Sequence, residues 1–493
     1  MRHIRHSIVF AVVCLILLVG GIVYAQSDEG KPGVLRNPLN VYMGADPWLT
    51  YYEGNYYLAT TTWTSEWFMR KSPTLAGLKT ADPVQIYFET EPSRCCNFWA
   101  PEFYLLDGPN GPRWYFYYSA GTSDTLDNQH THVLESAGTD PMGPYTYKTR
   151  IFDSSHDTWA IDGSILQLDD ALYFLFSAWD GPQSLFIAPM SDPWTISGPR
   201  VKISQPNYNW EGNVNEGPVA LYHEDDLFVI YSASPCAGPD YKLGMLTYTG
   251  GDPLDADSWV KDPEPVFQRA DEHSVFGPGH NGFFQSPDGT ENWIVYHAND
   301  LVSDGCDNGR TTRVQKFTWN DDGTPDFGVP VDITEEVPAP SGDTGVDPVL
   351  AFDELMVSRL KSYNSSGNFY LRSVDTVAQL DSVGDTPPTD TQFYIVPGLA
   401  DPDAVSIMSV FGAFLRHQGN NVFFNANDGS ETFDEDATWW IRPGLSDDAS
   451  ISFEAYNSPG MYLGRRFGIM ALVELTETSP AGMLVDATFI EEN

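Results

Sequence analysis

Three carboxylate residues lie at the same place in a sequence motif that repeats along the chain. Asp46, Asp162 and Glu216 each lie near the start of an apolar strand that leads through an acidic or glycine-containing turn into an aromatic strand. If the three meet in one pocket, mutual repulsion raises at least one carboxyl pKa and leaves a protonated acid beside an ionised base. Hydrolysis of a glycosidic bond requires such a pair. The same residues could instead only open strands, because Asp and Gly commonly flank turns.

Three other side chains accompany these carboxylates. His280 lies at the equivalent position in the last copy of the motif, so we expect it at the axis of the fold, near a water or a metal ion. Trp99 lies at the equivalent position in the second copy of the motif. Its ring could form the base of a sugar-binding site or pack in the core. Arg313 follows the last copy and is the guanidinium that we expect near the pocket, although it could equally pair with a surface carboxylate.

The elements that must position these residues are strands. The motif occurs five times with a period of about 58 residues. Equivalent strands end near Thr61, Ser119, Ser177, Ser232 and His297. Repeats of this kind are supersecondary units that cannot bury their faces alone. Alternating strands split by Gly, Asn and Asp turns, without a sustained helical period, predict an all-β fold. Five copies favour a five-bladed β-propeller, with about four strands per blade, over a β-sandwich.

The rest of the chain divides around this propeller. A basic start, an apolar run and a small-residue cleavage site before Gln26 predict a cleaved signal peptide rather than an uncleaved membrane anchor. After the propeller comes a linker rich in Pro, Gly and acid, and then three related units whose leucines recur 44 and 48 residues apart and predict a pseudo-threefold all-β domain. The expected boundaries are 1–25 for the signal peptide, 26–337 for the propeller, 338–353 for the linker and 354–493 for the last domain.

Charge and cysteine content exclude several classes of protein. The net charge is −42, with 68 acidic residues against 26 basic ones. Such a surface repels phosphate backbones and anionic lipid, so we expect a neutral or cationic substrate and no nucleic-acid partner. No cysteine spacing indicates a zinc site. Export permits disulfides; Cys236 and Cys306 follow strand ends of adjacent repeats and could form one, whereas the pairing of Cys95 and Cys96 stays open.

The repeated motifs, taken in order, resemble those of glycoside hydrolase family 43. The motifs are the DP of Asp46, WAPE from Trp99, IDGS from Ile161, NEGP from Asn215, GPGH from Gly277 and WNDDGTPDFGVP from Trp319. That family consists of five-bladed propellers that act on arabinofuranosides and xylosides with inversion. The resemblance implies Asp46 as general base, Glu216 as general acid and Asp162 as modulator of the pKa. It also implies His280 near a central ion, calcium or another, and no organic cofactor.

The three C-terminal units resemble an arabinose-binding β-trefoil, carbohydrate-binding module family 42. In that family a His in the pattern YNxPGxYLRH and the Asp of a later DATF segment hold arabinofuranose hydroxyls. Only the second unit keeps both residues, as His417 and Asp436, although it lacks the YNxPG part. The first unit carries Ser373 with Asp390, and the third carries Arg465 with Asp486.

Together the resemblances imply a secreted, extracellular, inverting exo-α-L-arabinofuranosidase that releases arabinose from the arabinan or arabinoxylan of plant cell walls. β-Xylosidase and endo-arabinanase are the alternatives within the family, because loop shape decides between a closed pocket and an open groove. A non-catalytic glycan-binding protein is the alternative of another class, and it would require the carboxylates to be lost or misplaced. We expect a monomer that contacts no membrane after signal cleavage.

Overall fold

The computed structural model describes residues 33–492, apart from 41–42, 308, 348–349, 351–355, 364–366, 375, 385–387, 428, 467–468 and 477. The expected signal peptide, residues 1–25, lies outside the described residues. In the part of the chain that is described, no helix combines the length and the apolar character needed to cross a membrane. The described residues are almost entirely strands and turns, so the expectation of an all-β protein is confirmed.

Five antiparallel sheets follow one another after β1 (Val34–Leu35), and each is built from consecutive strands. Blade 1 contains β2 (Trp48–Tyr52), β3 (Asn55–Ala59), β4 (Glu66–Ser72) and β5 (Val84–Phe88). Blade 2 contains β6 (Cys96–Gly108), β7 (Gly111–Gly121), β8 (His130–Ser136) and β9 (Tyr145–Arg150). Blade 3 contains β10 (Ala160–Leu168), β11 (Ala171–Trp179), β12 (Gln183–Asp192), β13 (Thr195–Ile196) and β14 (Val201–Ser204). Blade 4 contains β15 (Asn215–His223), β16 (Asp226–Ala233), β17 (Lys242–Tyr248) and β18 (Trp259–Lys261). Blade 5 contains β19 (Phe276–Gln285), β20 (Asn292–Asn299), β21 (Thr311–Trp319) and β22 (Pro325–Asp326).

The blades are held together by apolar cores that lie between neighbouring sheets. Each of the five adjacent pairs, including blades 5 and 1, shares one cluster of buried aliphatic and aromatic side chains. Between blades 1 and 2, for example, Trp67 stacks on Phe98 with ring centroids 5.3 Å apart. A single twisted sheet would leave both of its faces in water, so the repeats are stable only as a closed ring. The five-bladed propeller predicted from the period is confirmed.

The ring is closed by the segment before blade 1, which binds to blade 5. The amide and carbonyl of the Asn37 side chain bond the backbone of Val314, at 2.9 Å each. The backbone N–H of Leu39 donates to the carbonyl of Thr312 at 2.8 Å. The same ring carries the disulfide between Cys236 and Cys306, which was expected from their positions, while Cys95 and Cys96 are bonded to each other.

The segment expected to be a linker packs against the propeller. β23 (Val337–Pro338) pairs with β1, and the carboxylate of Asp343 accepts the backbone N–H of Leu75 at 2.7 Å. Asp347 is fully buried and forms an ion pair with the equally buried Lys79. Because a buried charge is stable only when it is paired, these contacts anchor the connection where it is described.

The C-terminal domain consists of three four-stranded units. The first contains β24 (Val357–Ser362), β25 (Phe369–Val374), β26 (Val377–Ser382) and β27 (Phe393–Pro397). The second contains β28 (Val405–Ser409), β29 (Phe414–Gln418), β30 (Asn421–Asn425) and β31 (Trp439–Pro443). The third contains β32 (Ile451–Ala455), β33 (Met461–Arg466), β34 (Ile469–Glu474) and β35 (Phe489–Glu492). Hydrogen bonds join all twelve strands into one continuous sheet, as in a β-trefoil.

The threefold pattern extends to the helices and to the core of this domain. Between the third and fourth strands the units carry, in turn, a 3-10 helix (Thr389–Thr391), α1 (Glu431–Asp436) and α2 (Ala481–Val485). The leucines that recur through the units are Leu371, Leu415 and Leu463, and all three are fully buried in one cluster. In the described part of the propeller there are four other 3-10 helices, at Ala76–Lys79, Asn209–Glu211, Ala256–Ser258 and Asp271–His273.

Candidate active site

Near the start of the innermost strand of every blade, the residue at the repeated position lies in the left-handed region of the backbone. The five residues are Asp46 (φ 51°), Ala100 (φ 49°), Asp162 (φ 55°), Gly217 (φ 55°) and His280 (φ 47°). For a residue other than glycine this conformation costs on the order of 1 kcal/mol, so the surrounding structure must hold it in place. The strand register shifts at the same place in blades 2 to 5, which marks a bulge that redirects a side chain.

The left-handed residues are held by side chains of the preceding blade. In four of the blades their backbone N–H donates to a small polar or His residue near the end of the second strand of the blade before. The pairs are Ala100 to Thr61 (2.8 Å), Asp162 to Ser119 (3.1 Å), His280 to Ser232 (2.8 Å) and Asp46 to His297 (3.1 Å). The repeated polar strand ends therefore fasten each blade to the next around the axis.

Blade 4 departs from this pattern by one residue. Gly217 takes the left-handed position, and its N–H donates to Asp162 Oδ2 at 3.0 Å. A Cβ on Gly217 would lie 3.2 Å from the His280 ring, so only glycine fits comfortably there. Glu216 thus precedes the position that Asp46 and Asp162 occupy, and in blade 2 the matching residue is Ala100 rather than Trp99. The equivalence expected from the sequence is shifted by one residue in these two blades.

Asp46 is an ionised carboxylate at the axis. Its Oδ1 lies 3.1 Å from Arg310 Nη1, 3.3 Å from His297 Nδ1 and 3.5 Å from His280 Nδ1. Its Oδ2 accepts a hydrogen bond of 2.5 Å from Thr61 Oγ1. Burial alone would raise the pKa of Asp46, but the Arg310 charge and the two histidines outweigh burial and hold this pKa well below its ordinary value.

Asp162 is a buried carboxyl whose pKa is shifted in the opposite direction. Burial is the main cause, and repulsion from Glu216 and then from Asp46 raises its pKa further. The backbone N–H of Gly217 opposes this shift but does not cancel it. The pKa shifts of Asp46 and Asp162 therefore favour a negative charge on Asp46 over one on Asp162.

Glu216 is held by donors on both of its oxygens. Tyr241 donates its hydroxyl to Oε1 at 2.8 Å, and Gln183 donates its side-chain amide to Oε2 at 2.7 Å. Tyr241 itself is buried and stacks on His297, with ring centroids 5.5 Å apart. Burial raises the pKa of Glu216 above its ordinary value although both donors oppose the shift. Neither Tyr241 nor Gln183 lies in one of the repeated motifs, so the sequence carried no signal for them.

The structure places Trp99 beside the site and Arg313 away from Asp46. The Trp99 ring packs edge-on against Trp63 at 5.0 Å, next to Ala100 and its bond to Thr61. The buried guanidinium of Arg313 binds Thr311 and Asp300 instead of the pocket carboxylates. The guanidinium at Asp46 is that of Arg310, three residues earlier in GRTTR, and this corrects our expectation for Arg313. The short motif contains two arginines, and only the strand register distinguishes them.

The residues around His280 do not fit a metal ion held by protein side chains. His280 Nδ1 points towards Asp46, and among the described residues no group of three His, Cys, Asp or Glu side chains is arranged to hold a metal. Calcium prefers six to eight oxygen ligands, and one imidazole supplies none of them. No catalytic step is therefore derived through an ion, and the central calcium or other ion stays a prediction.

A second cluster of polar side chains lies in the trefoil. His417 Nε2 donates to Asn457 Oδ1 at 2.7 Å, and Asn457 Nδ2 donates to Asp436 Oδ1 at 2.7 Å. His417 and Asp436, both expected from the sequence, are 3.6 Å apart at their nearest polar atoms. Asn457 comes from the YNSPG segment of the third unit. The YN pattern missing from the second unit is therefore supplied by the next unit along the chain.

The other two trefoil units do not repeat this arrangement. In the first unit, Arg372 donates to both carboxylate oxygens of Asp390, at 2.9 and 2.5 Å, so this carboxylate is already paired within the protein. Ser373 of this unit lines a small cavity together with Leu39 and Lys79 of the propeller, so this face is turned towards the other domain. In the third unit Arg465 stands beside Asp486 and lies over the Phe369 ring, 5.0 Å from its centre.

The fold and the site define a class of enzyme. A five-bladed propeller with one ionised and two protonation-prone carboxyls at its axis is the arrangement of a glycoside hydrolase. The chain belongs to the glycosyl hydrolases family 43, whose family model matches residues 35–325. A second family model, the alpha-L-arabinofuranosidase B (ABFB) domain, matches residues 358–490. Both resemblances inferred from the sequence are confirmed.

Named relatives and solved structures agree with this family. An "Extracellular exo-alpha-(1->5)-L-arabinofuranosidase" of Streptomyces avermitilis is 35% identical over 470 residues, which are 91% of this chain and 92% of that protein. An "Alpha-L-arabinofuranosidase B" of Pyricularia oryzae is 31% identical over 99% of this chain and 90% of its own. The crystal structure of an alpha-L-arabinofuranosidase from Lactobacillus brevis is 33% identical, with a TM-score of 0.56 over 60% of this chain and 97% of that one.

Proposed function

We propose that the protein is a secreted, inverting exo-α-L-arabinofuranosidase that releases arabinose from arabinan or arabinoxylan. The observation that carries the proposal is the opposite pKa shift of two carboxyls in one pocket. The Arg310 charge lowers the pKa of Asp46 and so favours an ionised base, whereas burial raises the pKa of Glu216 and so favours a protonated acid. The names of the relatives support arabinofuranose as the released sugar and the extracellular location.

In the proposed mechanism the two carboxyls act on opposite sides of the sugar. Asp46, ionised and fixed by Thr61 and Arg310, takes a proton from a water that attacks the anomeric carbon. Glu216 gives its proton to the oxygen of the departing sugar. Asp162 accepts the backbone N–H of Gly217, next to Glu216, and repulsion between the Asp162 and Glu216 carboxyls disfavours the state in which both are ionised. One displacement by water leaves the anomeric centre inverted.

The test is a panel of substrates with a stereochemical readout. The wild-type protein is assayed on aryl α-L-arabinofuranoside, aryl β-xyloside, linear arabinan and arabinoxylan, and the first sugar released is examined by NMR before it mutarotates. We expect arabinofuranoside cleavage, with arabinose as the product from polymer ends and the β-anomer formed first. Preferred cleavage of the xyloside would indicate a β-xylosidase, internal cleavage of arabinan an endo-arabinanase, and no turnover at all a non-catalytic glycan-binding protein.

The role of Tyr241 gives a prediction on pH dependence. A donor to Oε1 favours the ionised form of Glu216, so Tyr241→Phe should raise the Glu216 pKa further. The acid then stays protonated to higher pH, and the alkaline limb of kcat/KM should move upward. The matched control is Tyr115→Phe, which removes a hydroxyl bonded at 3.0 Å to Glu135 on blade 2. An alkaline limb that stays in place or moves downward in Tyr241→Phe would contradict the assignment.

We propose that the trefoil binds arabinofuranose side chains at the cluster of His417, Asn457 and Asp436. His417→Ala or Asp436→Ala should weaken retention on insoluble arabinoxylan about tenfold, because each removes hydrogen bonds to the sugar. Hydrolysis of a soluble aryl arabinofuranoside should stay unchanged. Asp403→Ala, at an exposed aspartate in the same domain, is the control. Unchanged retention in both site variants would mean that this unit does not bind the polymer.

The remaining expectations are proposals with direct tests. We propose a monomer with cell-wall polysaccharide as its partner, to be checked by light scattering in solution. A central ion beside His280 would be detected by elemental analysis of the purified protein and by a change in melting temperature with chelator. Export is tested by N-terminal sequencing of the mature protein, which should begin at Gln26.

A further inference from the structure

Two tryptophans lie on the catalytic face next to the residue that holds Glu216. Trp179 ends β11 and pairs directly with Gln183 at the start of β12. Gln183 donates to Glu216 Oε2 at 2.7 Å. Directly paired residues of antiparallel strands project their side chains on the same face of the sheet. Trp179 is therefore one strand spacing away from the group that binds the proposed acid.

Trp159 extends this surface from the neighbouring strand. It immediately precedes β10, whose first residue pairs with the residue before Trp179, and the two indole rings lie 5.7 Å apart. Its indole N–H donates to the carbonyl of Leu126 at 3.1 Å, which fixes the orientation of the ring. Along the chain it stands three residues before Asp162. Both rings are thus tied to strands that also carry or position the site carboxyls.

The two rings are only partly covered by the protein. Trp179 is 45% exposed, the adjoining Leu126 is 48% exposed and Trp159 is half-buried, whereas Trp67 and Trp293 are 0% and 1% exposed. The exposed face of Trp179, beside the half-buried Trp159, loses hydrophobic burial unless a ligand covers it. The chain has 68 acidic residues, so an anionic ligand would be repelled from this surface. A neutral ring with an apolar C–H face matches both conditions.

The position of the acid identifies which part of the substrate reaches these rings. A general acid protonates the leaving oxygen, so the departing sugars lie on the side of Glu216. Gln183 and Trp179 are on that same side. We propose that Trp159 and Trp179 form a stacking platform for a sugar residue of the leaving group, and that this platform makes the enzyme prefer oligosaccharides to substrates with small leaving groups. The inference rests on the proposed function.

The experiment compares two substrates in the full-length protein. α-1,5-Linked arabinotriose has sugars in its leaving group, whereas methyl α-L-arabinofuranoside has no ring there. Trp179→Ala should lower kcat/KM on arabinotriose about tenfold, mainly through KM, because the stacking of one aromatic ring is lost. On the methyl glycoside the same variant should match the wild type. Trp179→Tyr should restore most of the arabinotriose activity, because it keeps a ring.

The controls distinguish a loss of ring stacking from a loss of stability and from a failure of the proposed function. Phe88→Ala removes a ring that is 54% exposed on the outer strand of blade 1, and it should leave both substrates unaffected. Equal losses on the two substrates, or no selective loss on arabinotriose, would overturn the platform while the proposed function stands. A wild-type protein that cleaves neither substrate would refute the proposed function, and the platform with it.

Discussion

Replacing Asp46 with alanine is expected to lower kcat on an aryl arabinofuranoside by about 10³-fold, because the general base for the attacking water is lost. The carboxylate is the only acidic group that Arg310, His280 and His297 face together in the described site. Its deletion also leaves a small cavity at the position of the base. Azide added at high concentration should occupy that cavity, attack the anomeric carbon directly and yield an arabinosyl azide of inverted configuration.

The control for this prediction is another buried aspartate. Asp153 is 6% exposed and accepts backbone N–H groups from Ser155 at 2.8 Å and Arg200 at 3.3 Å, between blades 2 and 3. Asp153→Asn should lower the melting temperature and leave kcat near the wild-type value. If Asp46→Ala keeps more than a small fraction of the activity, or if azide restores it with retained configuration, Asp46 is not the base of an inverting reaction.

Replacing Glu216 with glutamine should produce a loss that depends on the leaving group. A poor leaving group such as a sugar alkoxide needs the proton from Glu216, so kcat on arabinotriose should fall by about 10³-fold. A dinitrophenyl group departs without a proton, and hydrolysis of its arabinofuranoside should be much less affected. Glutamine keeps the shape of the side chain between Tyr241 and Gln183, which isolates the proton from the packing. Equal losses on both substrates would show that Glu216 does not act as the acid.

The pKa shifts of Asp46 and Glu216 predict the direction in which each limb of the pH profile is displaced. The lowered pKa of Asp46 keeps the base ionised down to unusually acidic pH, so the acidic limb should lie below the ordinary range of an aspartate. The raised pKa of Glu216 keeps the acid protonated, so the alkaline limb should lie above the ordinary range of a glutamate. Because Asp162 and Glu216 interact, that limb reports the pair. Glu216→Gln should remove the alkaline limb and leave the acidic one, as measured by kcat/KM against pH.

Much of the architecture was predictable because it is encoded by local repetition. Strand alternation, turn residues and a period of about 58 residues depend on neighbours in the chain, and they lead directly to five blades. The buried leucines of the trefoil are predictable for the same reason, since each unit must contribute to one shared core. The disulfide between Cys236 and Cys306 follows from the adjacency of blades 4 and 5.

The candidate site was predictable in its carboxylates but not in their partners. Asp46 and Asp162 stand at the repeated position and Glu216 one residue before it, so comparing the blades singles them out. Arg310 and Tyr241 reach the site from the segments before third strands, and Gln183 from the start of a third strand, where no repeat marks them. In the trefoil, Asn457 completes the cluster of the second unit from the third, a relation that a comparison of units within themselves does not reveal.

Periodicity in the chain thus specified a five-bladed propeller, a threefold domain and three acidic residues at one axis, because hydrophobic alternation and turn chemistry act over a few residues. The folded structure alone decided which arginine neutralises Asp46, why a glycine takes the left-handed position in place of Glu216, and which unit completes the trefoil cluster. It also decided that the acid-rich connection is anchored by Asp347 and Lys79. These outcomes depend on bulges and on contacts between residues far apart in the chain, which set both the direction of a side chain and its pKa.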